Sequence, residues 1–239
     1  MIIYGLNPVL EALRAGRVKR LRVSRRSDKR LDEVVALAAT HHVGIERVDP
    51  MALDRAAHGG VHQGVVAEVD DTREYSLADL VSTPGGPPLI AVLDGIEDPH
   101  NVGAILRTMD AAGGSGVIRQ SRHSATLDGV VGKASAGAIS HVRIATVVNI
   151  ARALEELTDA GVWTIGLAGD AAESYADVDW TLPSAVVLGA EGTGLRRLVR
   201  DRCERIVKIP MLGAVESLNV SVAAGVVLYE AVRQRLGRS

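Results

Sequence analysis

Three stretches of the 239-residue chain gather residues able to act on a bound ligand. In Leu188-Gly-Ala-Glu-Gly-Thr-Gly-Leu195, glycines flank Glu191 between an apolar run and the basic segment LRRLVRDR. Glycine there lets backbone approach a ligand at the carboxyl end of a buried strand. In Asp94-Gly-Ile-Glu-Asp-Pro-His-Asn101 the chain leaves another apolar strand, and Asn101 is placed to cap a helix that carries Arg107 within a small, apolar run. In the stretch from Ile209 to Asn219, Pro210 and Gly213 hold an irregular loop, and Glu216, Ser217 and Asn219 gather where the last helix begins and backbone donors are free. Each has a plainer use alone: a strand-to-helix turn, an Asn cap, a surface arginine, and a helix capped by Ser217.

Several common chemistries are missing. The glycines at 189, 192 and 194 do not form GxGxxG and come late in the chain. Gly132-Lys133 is followed by Ala134, and Leu127 occupies the position where a P-loop needs its first glycine. The seven histidines have no Cys or His cluster around them, so no metal site is expected. Ser217 has no GxSxG around it. With 27 Lys and Arg against 29 Asp and Glu, the formal charge is −2, so any contact with nucleic acid must come from local patches. There is no Phe and aromatics are 3% of residues, which argues against base stacking on an aromatic sheet. One cysteine, Cys203, and a start without signal-peptide features read as an intracellular, cytoplasmic protein. No apolar run approaches membrane-spanning length.

The elements that must position these residues fall into two groups. Residues 2–5 read as a strand, Asn7 as the cap of a helix with Pro8 first, 21–23 as a strand, 28–39 as a helix, and 45–48 and 65–69 as strands. That makes a small α/β domain over residues 1–70. Residues 71–88 turn polar and end in TPGGPP, a linker signal. Over 89–239, strands at 89–94, 116–119, 142–146, 163–167, 185–188 and 205–209 alternate with helices at 101–113, 128–139, 149–159 and 218–236. Alternation of this kind implies a parallel sheet covered by helices.

Taken together and in this order, Asn101-Val-Gly-Ala-Ile-Leu-Arg107, Leu188-Gly-Ala-Glu-Gly192, and Ile209-Pro-Met211 through Glu216-Ser-Leu-Asn-Val-Ser221 resemble the three motifs of the SpoU (TrmH-type) RNA 2′-O-ribose methyltransferases of the SPOUT superfamily. The front segment, with Tyr4-Gly5 and His62-Gln63-Gly64, is similar to the L30e-like substrate-binding domain of members that methylate a guanosine of 23S ribosomal RNA. The resemblance implies an α/β fold with a C-terminal trefoil knot, S-adenosyl-L-methionine as methyl donor, ribosomal RNA as partner and a homodimer. Loops at Leu167, Ala168 and Gly169, at Leu188 and Gly189, at Ile209 and Met211, and at Leu218 would cradle the cofactor. Asn101, Arg107, Glu191, Ser217 and Asn219 match the family's catalytic positions. Glu191 and Asn219 would orient Arg107 and the ribose, and Ser217 would hold the loop. A non-catalytic RNA-binding or assembly protein, or a transfer RNA substrate, stays open.

Two surfaces follow from the residues. Arg14, Arg17, Lys19, Arg20, Arg22, Arg25, Arg26, Lys29 and Arg30 stand against Asp28 alone within their segment, a basic run suited to RNA, with Arg20, Arg22, Arg25, Arg26 and Lys29 as the expected contacts. In the last helix, Val220, Ala223, Ala224, Val227, Leu228 and Ala231 form one apolar face, and Val222, Val226, Tyr229 and Val232 a second. One face suffices for packing on its own sheet, so the second is expected to meet another copy of the chain.

Overall fold

In the second half of the chain, hydrophobic side chains alternate along strands whose two faces are both covered, and a computed structural model shows what they build. It describes residues 1–26, 28–70, 75–82, 84–127 and 129–237. Within the expected linker, 71–74 and 83 lie outside that set, as does Asp128, the expected start of a helix.

The front part contains β1 (Ile2–Tyr4), α1 (Leu6–Arg14), β2 (Val18–Ser24), α2 (Lys29–Thr40), β3 (Gly44–Val48), α3 (Pro50–Ala56) and β4 (Val65–Val69). Its sheet order is β1-β4-β2-β3, with β2 and β3 parallel and the other pairs antiparallel. Leu21, Val23, Val65 and Ala67 pack under α1 and α2, while Tyr4 and Val66 face α3. Helix α1 starts one residue before Asn7. Its cap is Gly5, in a left-handed conformation with φ 94°, and the Leu6 amide donates to Gln63 Oε1 at 3.1 Å. His62 accepts from the Gly64 amide and bonds Asp54, so His62 and Gln63 fix the turn into β4.

Helix α4 (Leu77–Val81) then interrupts the expected linker, held by a reciprocal Ser76–Asp79 cap, with Leu80 fully buried against the second sheet. The order continues β5 (Leu89–Asp94), α5 (Pro99–Ala111), β6 (Gly116–Gln120), α6 (Gly129–Ala134), β7 (Ile144–Val147), α7 (Ile150–Asp159), β8 (Trp163–Leu167), β9 (Glu173–Ser174), β10 (Ser184–Gly189), α8 (Arg197–Arg200), β11 (Arg205–Lys208) and α9 (Val220–Leu236). The sheet order is β7-β6-β5-β10-β8-β11-β9 and every pairing is parallel. Leu89, Ala91 and Leu93 face α5 and α9, whereas Ile90 and Val92 face α4, α7 and α8. This is the period-two alternation of a strand buried on both sides.

Two further caps differ from expectation. Asp98 caps α5 by accepting from the His100 amide, Pro99 takes the first helical position, and Asn101 is thereby inside the helix. Asn219, not Ser217, caps α9. The basic segment after Gly194 forms only the four-residue α8.

Candidate active site

Parallel strands leave their loops at one edge, and here the loops after β8, β10 and β11 enclose a cavity of about 710 Å³. Leu167, Ala168, Gly169, Leu188, Gly189, Ile209, Met211 and Leu218 all line it, together with Glu191, Ser217 and Asn219. Among the described residues, positions 211–218 make no backbone-to-backbone hydrogen bond, so their amides and carbonyls are free to meet a ligand. Gly189 also has a structural reason to be glycine. A Cβ there would lie 2.2 Å from the Gly194 carbonyl carbon, so glycine lets the loop close on its own base. Asp170 and Arg200 also line the cavity, and the Arg200 guanidinium, donating at 2.9 Å, holds the Asp170 carboxyl below its ordinary range.

A second cavity of about 510 Å³ lies across the 190–194 loop and is lined by Asn101, Asp94, Glu97, Asp98, His123 and Arg196. Ala190, Glu191, Thr193 and Gly194 line both cavities. At this shared wall, Asn101 Nδ2 donates to Glu191 Oε1 at 3.1 Å, and Asn219 Nδ2 donates to the same oxygen at 2.7 Å and to Asn101 Oδ1 at 2.9 Å. Asn219 Oδ1 accepts from the Ser221 and Val222 amides. Thus one side chain from each of the three sequence motifs converges on one point, with Asn101 buried beneath.

The other two expected catalytic residues are placed differently. Ser217 is exposed and makes no hydrogen bond among the described residues, so the expected loop-holding role has no bond behind it. Arg107 is exposed on α5, lines neither cavity, and pairs with no described residue. Glu191 and Asn219 bond Asn101, and among the described residues neither bonds Arg107 of the same chain.

The basic front segment is less free than its sequence suggests. Lys19 pairs with Asp70 at 2.6 Å, Arg22 with Glu46 at 3.4 Å, Arg25 with Asp49 at 3.5 Å, and Arg14 with Glu11 at 2.5 Å. Arg17 donates to the Ile139 and Asp70 carbonyls, and burial lowers its guanidinium pKa. Arg20, Arg26, Lys29 and Arg30 remain exposed without a described acidic partner. Among the described residues no cluster of His, Cys, Asp and Glu is placed to hold a metal, and no helix is long and apolar enough to cross a membrane.

The fold is thus a parallel sheet with a loop-built cavity at its carboxyl edge and an Asn–Glu–Asn cluster on the cavity wall. The chain belongs to the SpoU rRNA methylase family, which it matches over residues 88–229, and residues 2–75 match the RNA 2′-O ribose methyltransferase substrate-binding family. It is 47% identical over 239 residues to a 23S rRNA (guanosine-2′-O-)-methyltransferase, RlmB, of Pseudomonas putida, covering 98% of this chain and 96% of the relative. The SpoU methyltransferase AviRb of Streptomyces viridochromogenes superposes with a TM-score of 0.84 at 26% identity, over 100% of this chain and 90% of the other. The same enzyme in complex with the cofactor AdoMet superposes with a TM-score of 0.82 at 27% identity, over 99% of this chain and 90% of the other.

Proposed function

We propose that the chain transfers a methyl group from S-adenosylmethionine to the ribose 2′-hydroxyl of a guanosine in 23S ribosomal RNA. The observation that carries this reading is the Asn101–Glu191–Asn219 cluster at the wall shared by two cavities. The larger cavity fits a nucleoside-sized cofactor in volume, in its apolar Leu188, Ile209 and Leu218, and in the free backbone groups of 211–218. The smaller one would take the acceptor nucleoside. The cofactor supplies an activated methyl for in-line displacement, so the protein's task is alignment and charge stabilisation.

In this reading Asn101 and Asn219 orient the ribose while Glu191 holds both amides in place. Leu167, Ala168, Gly169, Gly189, Met211 and Leu218 hold the cofactor chiefly through backbone. Arg107 positions phosphate and stabilises the developing oxyanion, because a guanidinium with a pKa above roughly 12 is a poor proton acceptor. Ser217 contributes a hydroxyl at the cavity rim. Since Arg107 lines neither cavity of its own chain and bonds none of the cluster, it serves the site of a partner in a homodimer.

Residues 1–70 form an L30e-like RNA-binding domain, 71–88 a connection, and 89–239 the catalytic domain. Arg20, Arg26 and Lys29 are the main RNA contacts, with Arg22 and Arg25 secondary. A trefoil knot is supported by β11 lying between β8 and β9, strands joined by residues 168–172, so the later chain must pass that loop. The protein would work in the cytoplasm, where ribosomal RNA is.

The test is mass-spectrometric mapping of ribose methylation in RNA from cells with and without this protein. One 2′-O-methylguanosine should vanish from 23S RNA. Loss confined to transfer RNA, or no loss, would overturn the assignment.

A further inference from the structure

The loop that forms the wall between the two cavities has almost nothing apolar to fix it. Glu191, Gly192, Thr193 and Gly194 are all exposed, and within the loop the Gly194 amide donates to the Ala190 carbonyl at 2.8 Å. Both ends of the loop nevertheless meet at one residue. Gly189, where the chain leaves β10, is the ladder partner of Asp94 on β5. Arg196, where the loop ends, returns to Asp94: its amide donates to Oδ2 at 2.8 Å and its Nε to Oδ1 at 2.6 Å, with Nη2 also against Oδ1. The remaining reach of that guanidinium donates to Gln120 Oε1 at 2.7 Å, at the end of β6.

Asp94 has no exposed surface, and a buried carboxylate is tolerated only when paired and hydrogen-bonded. Arg196 meets Oδ1 through Nε and Nη2 and Oδ2 through its own amide, and a lysine could not reproduce the paired side-chain contact. We infer that Asp94 and Arg196 are a positioning pair that holds the 189–196 loop, and through it Glu191, in register with Asn101 and Asn219. Neither needs to touch the reacting atoms. The pair sets the thickness and position of the wall that both ligands would share.

The inference rests on the proposed methyl transfer for its kinetic consequence but not for its structural one. Asp94→Asn and Arg196→Lys would be compared with the parent by hydrogen exchange, by calorimetric titration with S-adenosylmethionine and by turnover on 23S RNA. Measurements would be made at a temperature where circular dichroism matches the parent. Exchange of the 190–196 amides should accelerate selectively, and kcat should fall at least about tenfold, since displacement of a catalytic group by about 1 Å costs that much or more. KM for RNA should change less than kcat. Should Arg196→Lys prove too unstable, the doubly neutral Asp94→Asn/Arg196→Gln variant removes the buried charge while keeping amide partners, and its loop should still exchange faster than the parent's. A lower melting temperature with parental loop exchange and parental kcat would overturn the pair's role. Selective loop exchange in a protein whose parent methylates no RNA would instead uphold the pair and reject the proposed function.

Discussion

Asn219 and Glu191 are bonded through Nδ2 and Oε1 at 2.7 Å while the other end of the same amide caps α9, so one side chain ties the helix start to the wall of the cavity. The two duties separate by substitution. Asn219→Asp keeps an acceptor for the Ser221 and Val222 amides but sets a carboxylate against Glu191, so the α9 cap should hold while methyl transfer collapses. Asn219→Ala loses the cap as well and should unfold about 1 kcal/mol more easily. Denaturant melts paired with turnover would check both. An Asp variant with parental turnover would remove Asn219 from the site.

Arg107→Ala should lose methyl transfer by about a hundredfold or more, as oxyanion-stabilising donors do, with cofactor affinity unchanged. Lysine should rescue poorly, lacking the planar fork. Because Arg107 reaches neither cavity of its own chain, co-expressing Arg107→Ala with Asn219→Asp subunits should restore activity to about one quarter of the parent, the share of intact sites in randomly mixed dimers. No recovery above the single variants would place Arg107 in service of its own chain.

The parallel sheet was legible because its strands are nearly continuous apolar runs separated by helical segments. All eight expected cofactor residues line one cavity because strand-end loops of a parallel sheet have only one edge to occupy. Caps were harder to read. Asp98 and Asn101 are both good caps three residues apart, and the intervening Pro99, suited to the first helical position, is what decides for Asp98. Helix α4 carried a readable Ser76-x-x-Asp79 signal that the neighbouring TPGGPP obscured. The Asp94–Arg196 pair had no local signal at all, since its partners are 102 residues apart and meet only through the pairing of β5 with β10. Charge counting along the front segment failed for the same reason: Glu46, Asp49 and Asp70 are distant in sequence and adjacent in space.

RNA capture should therefore depend most on the unpaired cations. Reversing Arg20, Arg26 and Lys29 to Glu should weaken binding and flatten its salt dependence, by about 0.7 to 0.9 in the logarithmic slope for each phosphate no longer neutralised. Reversing Arg22 and Arg25, which also strands Glu46 and Asp49, should flatten the slope less. Filter binding across a salt series measures both, and an unchanged slope in the first variant would move the RNA surface elsewhere.

Burial, reinforced by the nearby Asp94 charge, pushes the Cys203 thiol up to about 12, and its Sγ donates to the Val199 carbonyl at 3.3 Å. The native thiol should resist alkylation at pH 8 and react only on unfolding, where its pKa is about 8.5. The sign for stability follows. The neutral thiol's contribution is complete below the unfolded pKa and declines from about pH 8.5 upward until the folded thiol ionises near 12. Cys203→Ala should flatten the alkaline limb of a stability-versus-pH curve, and rapid native alkylation would contradict the burial argument.

The two apolar faces of α9 differ in exposure. Val220, Ala224, Val227, Leu228 and Ala231 are buried in the main core, whereas Val222 and Tyr229 are 51% and 50% exposed. Val227 thus cannot report on assembly, because a charge there would break the protomer's own core. Leu212 and Val215, on the loop that leads into α9, are also exposed, at 98% and 64%. The parent should scatter light as a particle of about twice 25.2 kDa at low micromolar concentration, since a twofold pairing buries the same face on both copies. Val222→Glu combined with Tyr229→Glu should give a folded 25.2 kDa monomer that has lost methyl transfer, because each site then lacks its partner's Arg107. A parental protein that is monomeric and fully active would reject both the dimer and the shared site.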